Sequence, residues 1–281
     1  MDVLTLVHGR RSHLDNLILG LARSTVAPAR LIVVHMNEAP VSSSSPHFPI
    51  VSLVIEGPRY ALPLAAARNL AASHVTSEAM IFLDVDCIPS ATLIECYRER
   101  LCSDQRNGHR KGALYQGLVR YLPAGASASG WSEETLNGLG QIHAAHDARH
   151  VGCAMPHHMF WSLNFACRRA SYEAIGGFDT HYLGYGGEDT DFAFRARRAG
   201  IGIELVGALA FHQYHAVYDP PLNHFSSIVA NARRFKRIWG RWPMEGWLAA
   251  FAEAGYIGLT QEALTVRRPP TLAEVAACLT P

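Results

Sequence analysis

Several features that would point to a secreted or membrane-spanning protein are missing from this sequence. None of the six cysteines forms a CxxC pair and most lie among apolar residues, so we expect free thiols rather than disulfides or a zinc site. No apolar run approaches the roughly 20 residues that a membrane span requires. The amino terminus is apolar over too few residues and lacks a basic region, so we expect no signal peptide. Together these absences predict a cytoplasmic protein.

An excess of charge of one sign is also lacking. The 281 residues include 25 Lys and Arg against 24 Asp and Glu, and the two signs are interspersed. Proteins that are held on nucleic acid by its phosphates carry a positive excess, so we expect no nucleic-acid partner. With 49% hydrophobic residues, the chain has enough apolar material for a sizeable buried core.

Short apolar segments alternate with helical patterns over the first hundred residues. The predicted strands are Val3–Val7, Leu31–His35, Ile50–Ile55 and Ala79–Leu83. The predicted helices are Ser12–Ser24, Leu62–His74 and Ser90–Leu101. This alternation predicts an α/β protein with a parallel sheet covered on both faces. In such sheets ligands bind beyond the carboxyl ends of the strands.

The rest of the chain has a less regular pattern. It predicts strands at Ala113–Val119, Phe160–Cys167 and Ile203–Val206. It predicts helices within Trp131–Arg149, Glu188–Ala199, Pro220–Trp239 and Pro243–Ala254, and a final short helix with a capping box from Thr271 to Glu274. We expect a single domain overall, with soft divisions that separate residues 1–110, 111–242 and 243–281.

Two carboxylates follow the fourth predicted strand. Asp84 and Asp86 come directly after the apolar run that ends at Leu83. Residues two apart in an extended segment point the same way, so both carboxylates should enter one cleft. Such a pair offers hard oxygen ligands to a divalent cation that bridges a diphosphate. Solvated loop aspartates are the alternative, but the position at a strand end favours the metal site.

A glycine-rich loop supplies a second acidic cluster. The loop reads GYGGED from residue 184 and leads into a predicted helix. Gly186 and Gly187 would let the backbone approach a ligand closely and adopt a positive φ. A helix dipole favours ionised carboxylates in the first turn, so Asp189 is a candidate base for a hydroxyl proton. Simple helix capping is the alternative, and it is our main interpretation of Asp191.

The order and spacing of these motifs resemble a known family. The DVD motif at 84–86, GGFD at 176–179 and GGED at 186–189 look like those of the GT-A glycosyltransferases. Within that fold the chain is most similar to family-two enzymes with a galactosyltransferase-type carboxyl-terminal region. The resemblance implies the Rossmann-like GT-A fold, with a mainly parallel sheet flanked by helices. Residues 1–110 would bind the nucleotide sugar, 111–242 would bind the acceptor and carry catalysis, and 243–281 would form a helical extension.

The same resemblance implies a reaction. A hexose of the galactose, N-acetylhexosamine or glucose type would move from a UDP-sugar to a carbohydrate or other hydroxyl acceptor, with inversion at the anomeric carbon. Asp189 would be the catalytic base, with Glu188 as an acceptor-binding partner. Tyr185 stands where related enzymes often carry a tryptophan that stacks on the acceptor.

Metal ligands are implied in the same way. Asp86 would hold Mn²⁺ or Mg²⁺, while Asp84 would contact the ribose and the metal shell. A third ligand is expected after the short strand, where His212 is preferred and His215 comes second. Imidazole beside carboxylates favours Mn²⁺ over Mg²⁺.

Nucleotide contacts complete the implied site. Arg10 matches an arginine of the galactosyltransferase-like enzymes, and its planar fork suits phosphate or the uracil edge. Arg68 and Asn69 resemble an Arg-Asn pair that contacts uridine or the diphosphate, although a plain helical arginine is the alternative. Asn164 lies in a predicted apolar strand, where a buried amide must find a partner. The donor sugar is one candidate for that partner.

Two basic features have no place in this assignment. Histidines cluster within residues 143–158, on a segment to which we assign no role. The basic stretch Asn231–Arg237, which three tryptophans follow, would suit an anionic lipid surface or a charged acceptor. A solvated helix face with its aromatics in the core is the more common outcome, and we favour it over peripheral membrane contact.

Other functions compete with the leading one. A retaining transferase would use Asp189 to position a group rather than to remove a proton. A catalytically silent sugar-nucleotide-binding protein would bind UDP without transfer, but the four acidic positions of the two clusters argue against it. A nucleotidyltransferase ranks lowest because no glycine-rich phosphate loop follows the first strand.

Overall fold

A computed structural model describes residues 1–40, 43–106, 112–128, 130–142 and 150–280. Its centre is a mixed sheet whose first half is parallel. The strands of this half are β1 (Asp2–Val7), β2 (Arg30–Met36), β3 (Ile50–Ile55) and β4 (Ala79–Leu83). They lie in the order β3-β2-β1-β4. Strands β1, β2 and β4 are buried along almost their whole length, as expected for strands with helices on both sides of the sheet, whereas the edge strand β3 is partly exposed.

The second half of the sheet is joined to the first by an antiparallel strand. Its strands are β5 (Cys87–Pro89), β6 (Ala113–Tyr121), β7 (Gln141–Ile142), β8 (Asn164–Arg168) and β9 (Gly202–His212). Strand β8 runs antiparallel to both β4 and β6, and β6 is parallel to β9. The short strands β5 and β7 pair antiparallel with β9 and β6. Because β8 is antiparallel, the segment that precedes it lies beside the carboxyl end of β4.

Helices cover both faces of the sheet. They are α1 (Arg11–Ala22), α2 (Leu64–Ser73), α3 (Leu93–Arg106), α4 (Glu133–Leu139), α5 (Arg169–Ile175), α6 (Glu188–Arg198), α7 (Phe225–Trp239), α8 (Glu245–Glu253) and α9 (Leu272–Ala277). Helices α1 and α3 pack on one face, and α2, α5 and α6 pack on the other. The two cores contain alternate residues of the same strands, because successive side chains point to opposite faces.

Stacked aromatic rings connect the GGFD motif to the core. Phe178 of the GGFD motif stacks on Phe192 of α6, with ring centroids 4.2 Å apart. Phe82 of β4 stacks on Phe165 of β8 with centroids 4.6 Å apart. These contacts hold the start of α6 against the end of β4.

The carboxyl-terminal region has its own hydrophobic cluster. The cluster joins α7, α8 and the small antiparallel sheet of β11 (Ile257–Leu259) and β12 (Leu264–Val266). A second small antiparallel sheet pairs β10 (Val217–Tyr218) with β13 (Leu279–Thr280). The capping box predicted from Thr271 and Glu274 is confirmed at the start of α9. The cluster begins at Leu222, before the predicted division at residue 243, and the three-part division of the chain stays a prediction. Among the described residues, no helix has both the length and the apolar character that crossing a bilayer demands.

Secondary structure differs from the prediction mainly in the second half. The predicted strands Ile50–Ile55 and Ala79–Leu83 are confirmed at both ends. The strand predicted to begin at Phe160 begins only at Asn164, because a 3₁₀ turn at His157–Met159 precedes it. The short strand predicted to end at Val206 continues to His212, past an irregularity in its pairing with β6. The later part of the helix predicted within 131–149 lies outside the described residues.

Candidate active site

The two predicted acidic clusters meet at one cleft. Asp84 follows β4, and its backbone N–H donates to the carbonyl of Leu163 just before β8, at 2.9 Å. Asp189 lies in the first turn of α6, and its Oδ2 accepts the backbone N–H of Ser162 at 3.0 Å. The turn before β8 therefore touches both clusters, and it brings Asp84 and Asp189 close together.

The Asp86 carboxylate is surrounded by positive and polar groups. Arg10 donates to its Oδ2, and the ring Nδ1 of His13 lies 2.5 Å from its Oδ1. Burial alone would raise the pKa of Asp86, but the hydrogen bonds with His13 and Arg10 and the charge of Arg10 lower that pKa to about 2. Asp86 is therefore ionised at neutral pH.

Both predicted histidines lie next to Asp86. Ligand atoms of Asp86, His212 and His215 all lie within 4.8 Å of one another. Burial lowers the pKa of His212 to about 4, so its imidazole is neutral, which is the form that a metal ion binds. One carboxylate and two imidazoles make a donor set that fits Mn²⁺. The roles of these three residues as ligands stay predictions.

A buried arginine lies between the two acidic clusters. Nη2 of Arg68 lies 3.8 Å from Oδ1 of Asp84, and its Nη1 lies 3.5 Å from Glu188 and 3.7 Å from Asp189. Burial and neighbouring carboxylates raise the pKa of Asp84 to about 6, although Arg68 opposes that rise. Burial, with the charge of Asp189, also raises the pKa of Glu188. Glu188 is only 6% exposed, so its carboxylate faces Arg68, and its predicted contact with the acceptor stays a prediction.

The glycines of the GYGGED loop are required by packing within the chain. Gly186 and Gly187 have φ values of 97° and 88°, which favour glycine. A Cβ on Gly186 would lie 2.5 Å from Sδ of Met244, so the close approach expected for a ligand is made there by the carboxyl-terminal region. The buried Asn231 of α7 donates to the carbonyl of Gly186 at 2.9 Å. These contacts fix the loop that precedes the first turn of α6.

Tyr185 keeps an exposed ring at the mouth of this loop. Its ring stacks against His224 and Trp247, with centroids 4.8 and 5.5 Å away. The residue is 41% exposed, and two elements of the carboxyl-terminal region set the orientation of the ring. The loop that leads to Asp189 therefore carries an exposed aromatic ring.

Two residues that are predicted to contact the ligand make hydrogen bonds within the fold. Asn164 is 1% exposed, accepts the hydroxyl of Tyr97 at 2.8 Å, and donates to carbonyls of β6 and β9. The amide links neighbouring strands inside the sheet, and its predicted contact with the donor sugar stays a prediction. The amide of Asn69 accepts the Phe178 N–H and the Tyr172 hydroxyl and donates to the Phe178 carbonyl, at 2.6 to 2.8 Å. Asn69 thus holds the GGFD turn, and this contact explains its position without a nucleotide.

Gln213, which the sequence analysis did not predict, joins the segments that carry Asp86 and His212. Gln213 is fully buried, and its backbone N–H donates to the carbonyl of Asp86 at 2.6 Å. Its side chain donates to the carbonyls of His13 and Val85, and it accepts the amide of Asn16 at 2.8 Å. A polar residue between two aromatic residues at the end of an apolar strand was the only available signal. His13 had no such signal, because it lies on an ordinary amphipathic helix.

Part of the basic stretch on α7 is used within the fold. Arg234 donates to Asp179 of the GGFD motif, with Nε 3.0 Å from Oδ2. Arg233 donates to the carbonyl of Leu264 at 3.0 Å. The favoured interpretation, a solvated helix face with its aromatics in the core, differs from these contacts in that two of the arginines bond within the fold. Peripheral membrane contact stays a prediction. Two of the clustered histidines, His143 and His146, lie outside the described part of the chain.

Sequence comparison gives matches over part of the chain. Residues 142–219 match the family described as the N-terminal domain of galactosyltransferase. A segment of 87 residues is 40% identical to validoxylamine A glucosyltransferase of Streptomyces hygroscopicus subsp. jinggangensis (strain 5008), and 33% identical to that of subsp. limoneus. The matched segment covers 30% of this chain but only 19% and 18% of those enzymes.

Structural comparison extends over most of the chain. Residues 1–349 of S. aureus TarS in complex with UDP superpose with a TM-score of 0.56 at 12% identity, over 84% of this chain and 65% of that one. GalNAc-T7 with UDP, GalNAc and Mn²⁺ superposes with a TM-score of 0.52 at 14% identity, over 76% of this chain and 43% of that one. The predicted fold is thereby confirmed: the chain has the GT-A fold, and its residues 142–219 are similar to the family described as the N-terminal domain of galactosyltransferase.

Proposed function

We propose that this protein is an inverting, metal-dependent glycosyltransferase that moves a hexose from a UDP-sugar to a hydroxyl of a carbohydrate or other acceptor. One observation supports the proposal most. Asp84 and Asp189, far apart in sequence, both lie within 3.8 Å of the same guanidinium. A transferase needs a donor-side carboxylate and a base on one cleft, and this geometry supplies both.

The comparisons favour a UDP-sugar as the donor. TarS has been crystallised with UDP and with UDP-GlcNAc, GalNAc-T7 with UDP and GalNAc, and the sequence relatives are named glucosyltransferases. In this chain the Arg10 guanidinium reaches Asp86 at the carboxyl edge of the sheet, where it would contact the diphosphate.

Asp86, His212 and His215 would hold the metal ion. Their donor atoms are close enough together for one cation, and their mixture of oxygen and nitrogen favours Mn²⁺ over Mg²⁺. When bound, the ion would neutralise charge that develops on the departing UDP. Gln213, which follows His212 directly, bonds to the carbonyls of Asp86 and Val85 and so links the segments of Asp86 and His212.

Asp189 would act as the general base. Its Oδ2 is held by the Ser162 N–H, while its Oδ1 has no hydrogen-bond donor among the described residues. The carboxylate would accept the proton of the acceptor hydroxyl as the hydroxyl oxygen bonds to the anomeric carbon. The bond to UDP breaks on the opposite side, so the configuration inverts. Tyr185 would contact the acceptor ring, since it is exposed on the loop that leads to Asp189.

A donor panel tests the proposal. Thermal shifts with UDP-Gal, UDP-Glc, UDP-GlcNAc, UDP-GalNAc and UDP-GlcA, each with and without Mn²⁺, should show one preferred donor whose stabilisation depends on the metal. Transfer to carbohydrate acceptors is then followed by NMR of the product anomer. A product with retained configuration would reject the inverting mechanism. Binding of UDP with neither transfer nor slow hydrolysis would instead indicate a catalytically silent protein.

A further inference from the structure

Arg68 is a buried cation in an otherwise apolar helix. It lies in the middle of α2, whose sequence is LAAARNLAAS, and it is 5% exposed. Its guanidinium lies over the ring of Phe178, with the carbon Cζ 5.1 Å from the ring centroid. A buried guanidinium is costly unless charges of opposite sign surround it. Its surroundings therefore indicate what the side chain does.

The carboxylates around Arg68 come from two separate elements. Asp84 belongs to the turn after β4, whereas Glu188 and Asp189 belong to the first turn of α6. All three approach the two terminal nitrogens at 3.5 to 3.8 Å. One side chain therefore spans the donor side and the acceptor side of the cleft.

The charges of this group need the arginine. Three carboxylates and one guanidinium leave a net negative charge in a partly buried space. Without the guanidinium, like charges a few ångströms apart would repel one another strongly, because the protein interior screens charge poorly. Oδ2 of Asp189 is already held by the Ser162 N–H, so Arg68 restrains the other oxygen, Oδ1. The proposed base is thus oriented from two sides.

We propose that Arg68 is a positioning residue, which acts on the reaction through Asp84 and Asp189 and does not bind the nucleotide. This replaces the nucleotide contact implied by the sequence resemblance. The guanidinium sets the distance between the donor-side carboxylate and the base, and it offsets their repulsion. The kinetic part of this inference rests on the proposed function, whereas its structural part does not.

Substitution at position 68 separates positioning from nucleotide binding. We expect Arg68→Met to lower kcat by about 100-fold, because a misplaced base loses its alignment with the reacting atoms. The Kd of UDP with Mn²⁺, measured by calorimetry, should change by no more than about twofold. Arg68→Lys should be intermediate, since an ammonium keeps the charge but has no planar fork. A rise of about tenfold in the UDP Kd, or an unchanged kcat, would overturn the inference.

A matched control removes an arginine that pairs with another carboxylate of α6, the helix that carries Glu188 and Asp189, but outside the cleft. Arg195 pairs with Asp191 at 2.8 Å. Arg195→Met should lower Tm but leave kcat within about twofold of the parent. If Arg195→Met lowers kcat as much as Arg68→Met does, general destabilisation explains the effect and the inference fails.

A rescue experiment tests the same inference without any turnover. In the Arg68→Met background, Glu188→Gln removes one of the repelling charges, so the double variant should melt at a higher temperature than Arg68→Met. It also provides a folded protein if Arg68→Met alone does not fold. A double variant that melts lower, or that also fails to fold, would contradict the electrostatic role. If the parent protein transfers no sugar at all, the proposed function fails while this readout still decides the role of Arg68.

Discussion

Asp86 and Asp189, one from each acidic cluster, lie in contrasting surroundings. Asp86 accepts hydrogen bonds at both oxygens, from Arg10 and His13, and those contacts lower its pKa to about 2 despite burial. Asp189 is restrained at one oxygen, and the other has no hydrogen-bond donor among the described residues. The fold therefore holds Asp86 by hydrogen bonds at both oxygens, whereas Asp189 has one hydrogen-bonded oxygen and one buried oxygen that lies 3.7 Å from Arg68.

The largest expected effect on kcat comes from replacing the proposed base, Asp189. Asp189→Asn keeps the size of the side chain and its contact with Ser162 but cannot take up the acceptor proton. We expect kcat to fall by about 10²–10⁴-fold while UDP affinity stays the same. Steady-state transfer kinetics and calorimetry measure the two quantities.

The neighbouring Asp191 provides the control for that substitution. It is buried and pairs with Arg195, Tyr182 and Trp239, away from the cleft. Asp191→Asn should lower Tm and leave kcat nearly unchanged. Near-normal turnover in Asp189→Asn would remove the contrast between the two sides of the cleft.

Removing a metal-side imidazole should have the next largest effect. His212→Ala takes away one of three grouped donors, so Mn²⁺ should bind at least about 100-fold more weakly in the presence of UDP. Electron paramagnetic resonance of free Mn²⁺ measures this directly. His224→Ala changes a half-buried histidine outside the group and should leave Mn²⁺ affinity unchanged. Equal Mn²⁺ affinity in His212→Ala and the parent would dismiss His212 as a ligand.

A carboxylate away from the cleft calibrates these effects. Asp2 is buried and is bonded by Arg30 at 2.8 Å and by the Thr76 N–H at 3.0 Å. Burial opposes its ionisation, but these contacts lower its pKa below the ordinary value. Its contribution to stability is therefore fully present above the ordinary pKa of about 3.9 and is lost as pH falls through the lower folded value.

Asp2→Asn should accordingly cost about 2 kcal/mol of unfolding free energy at pH 7. The difference from the parent should shrink as pH falls below about 4, and kcat should not change. Urea unfolding between pH 3 and pH 7 measures it. Asp15→Asn, at an exposed surface pair, should show almost no difference at any pH. A pH-independent cost in Asp2→Asn would contradict an ionic origin.

The smallest expected effect comes from the residue that joins the metal-side segments. Gln213→Leu keeps the volume but removes the side-chain bonds to the carbonyls of His13 and Val85. Mn²⁺ affinity should fall about tenfold, because indirect partners of metal ligands usually matter less than the ligands. Gln261→Leu, at an exposed position, is the control. An unchanged Mn²⁺ affinity would show that backbone contacts alone align Asp86 and His212.

Local patterns predicted much of the fold and the acidic positions of the site. An apolar run that ends in Asp84 and Asp86 defines a strand end, and the glycines before Glu188 define a helix start; both are local signals. The resemblance supplied the idea that these positions converge. In the structure Asp84 and Asp189 both lie beside the Arg68 guanidinium, a contact that the local pattern did not predict.

Pairings between distant segments could not be predicted. Asn164 reads as a polar residue in an apolar strand, but only the neighbours of β8 show that Tyr97 and two carbonyls occupy its amide. Asn69 and Gln213 likewise take their roles from segments more than a hundred positions away. Such roles depend on strand order and register, and the antiparallel insertion of β8 was not visible in the local pattern.

The contact between Gly186 and Met244 has a practical consequence for anyone who rebuilds this protein. No side chain fits between the loop and the carboxyl-terminal region at that point, and Asn231 fastens the same loop through its carbonyls. A chimera with a foreign carboxyl-terminal region after residue 243 would therefore also change the conformation of the loop that leads to Asp189. To change acceptor preference, the GYGGED loop and the carboxyl-terminal region should be exchanged together.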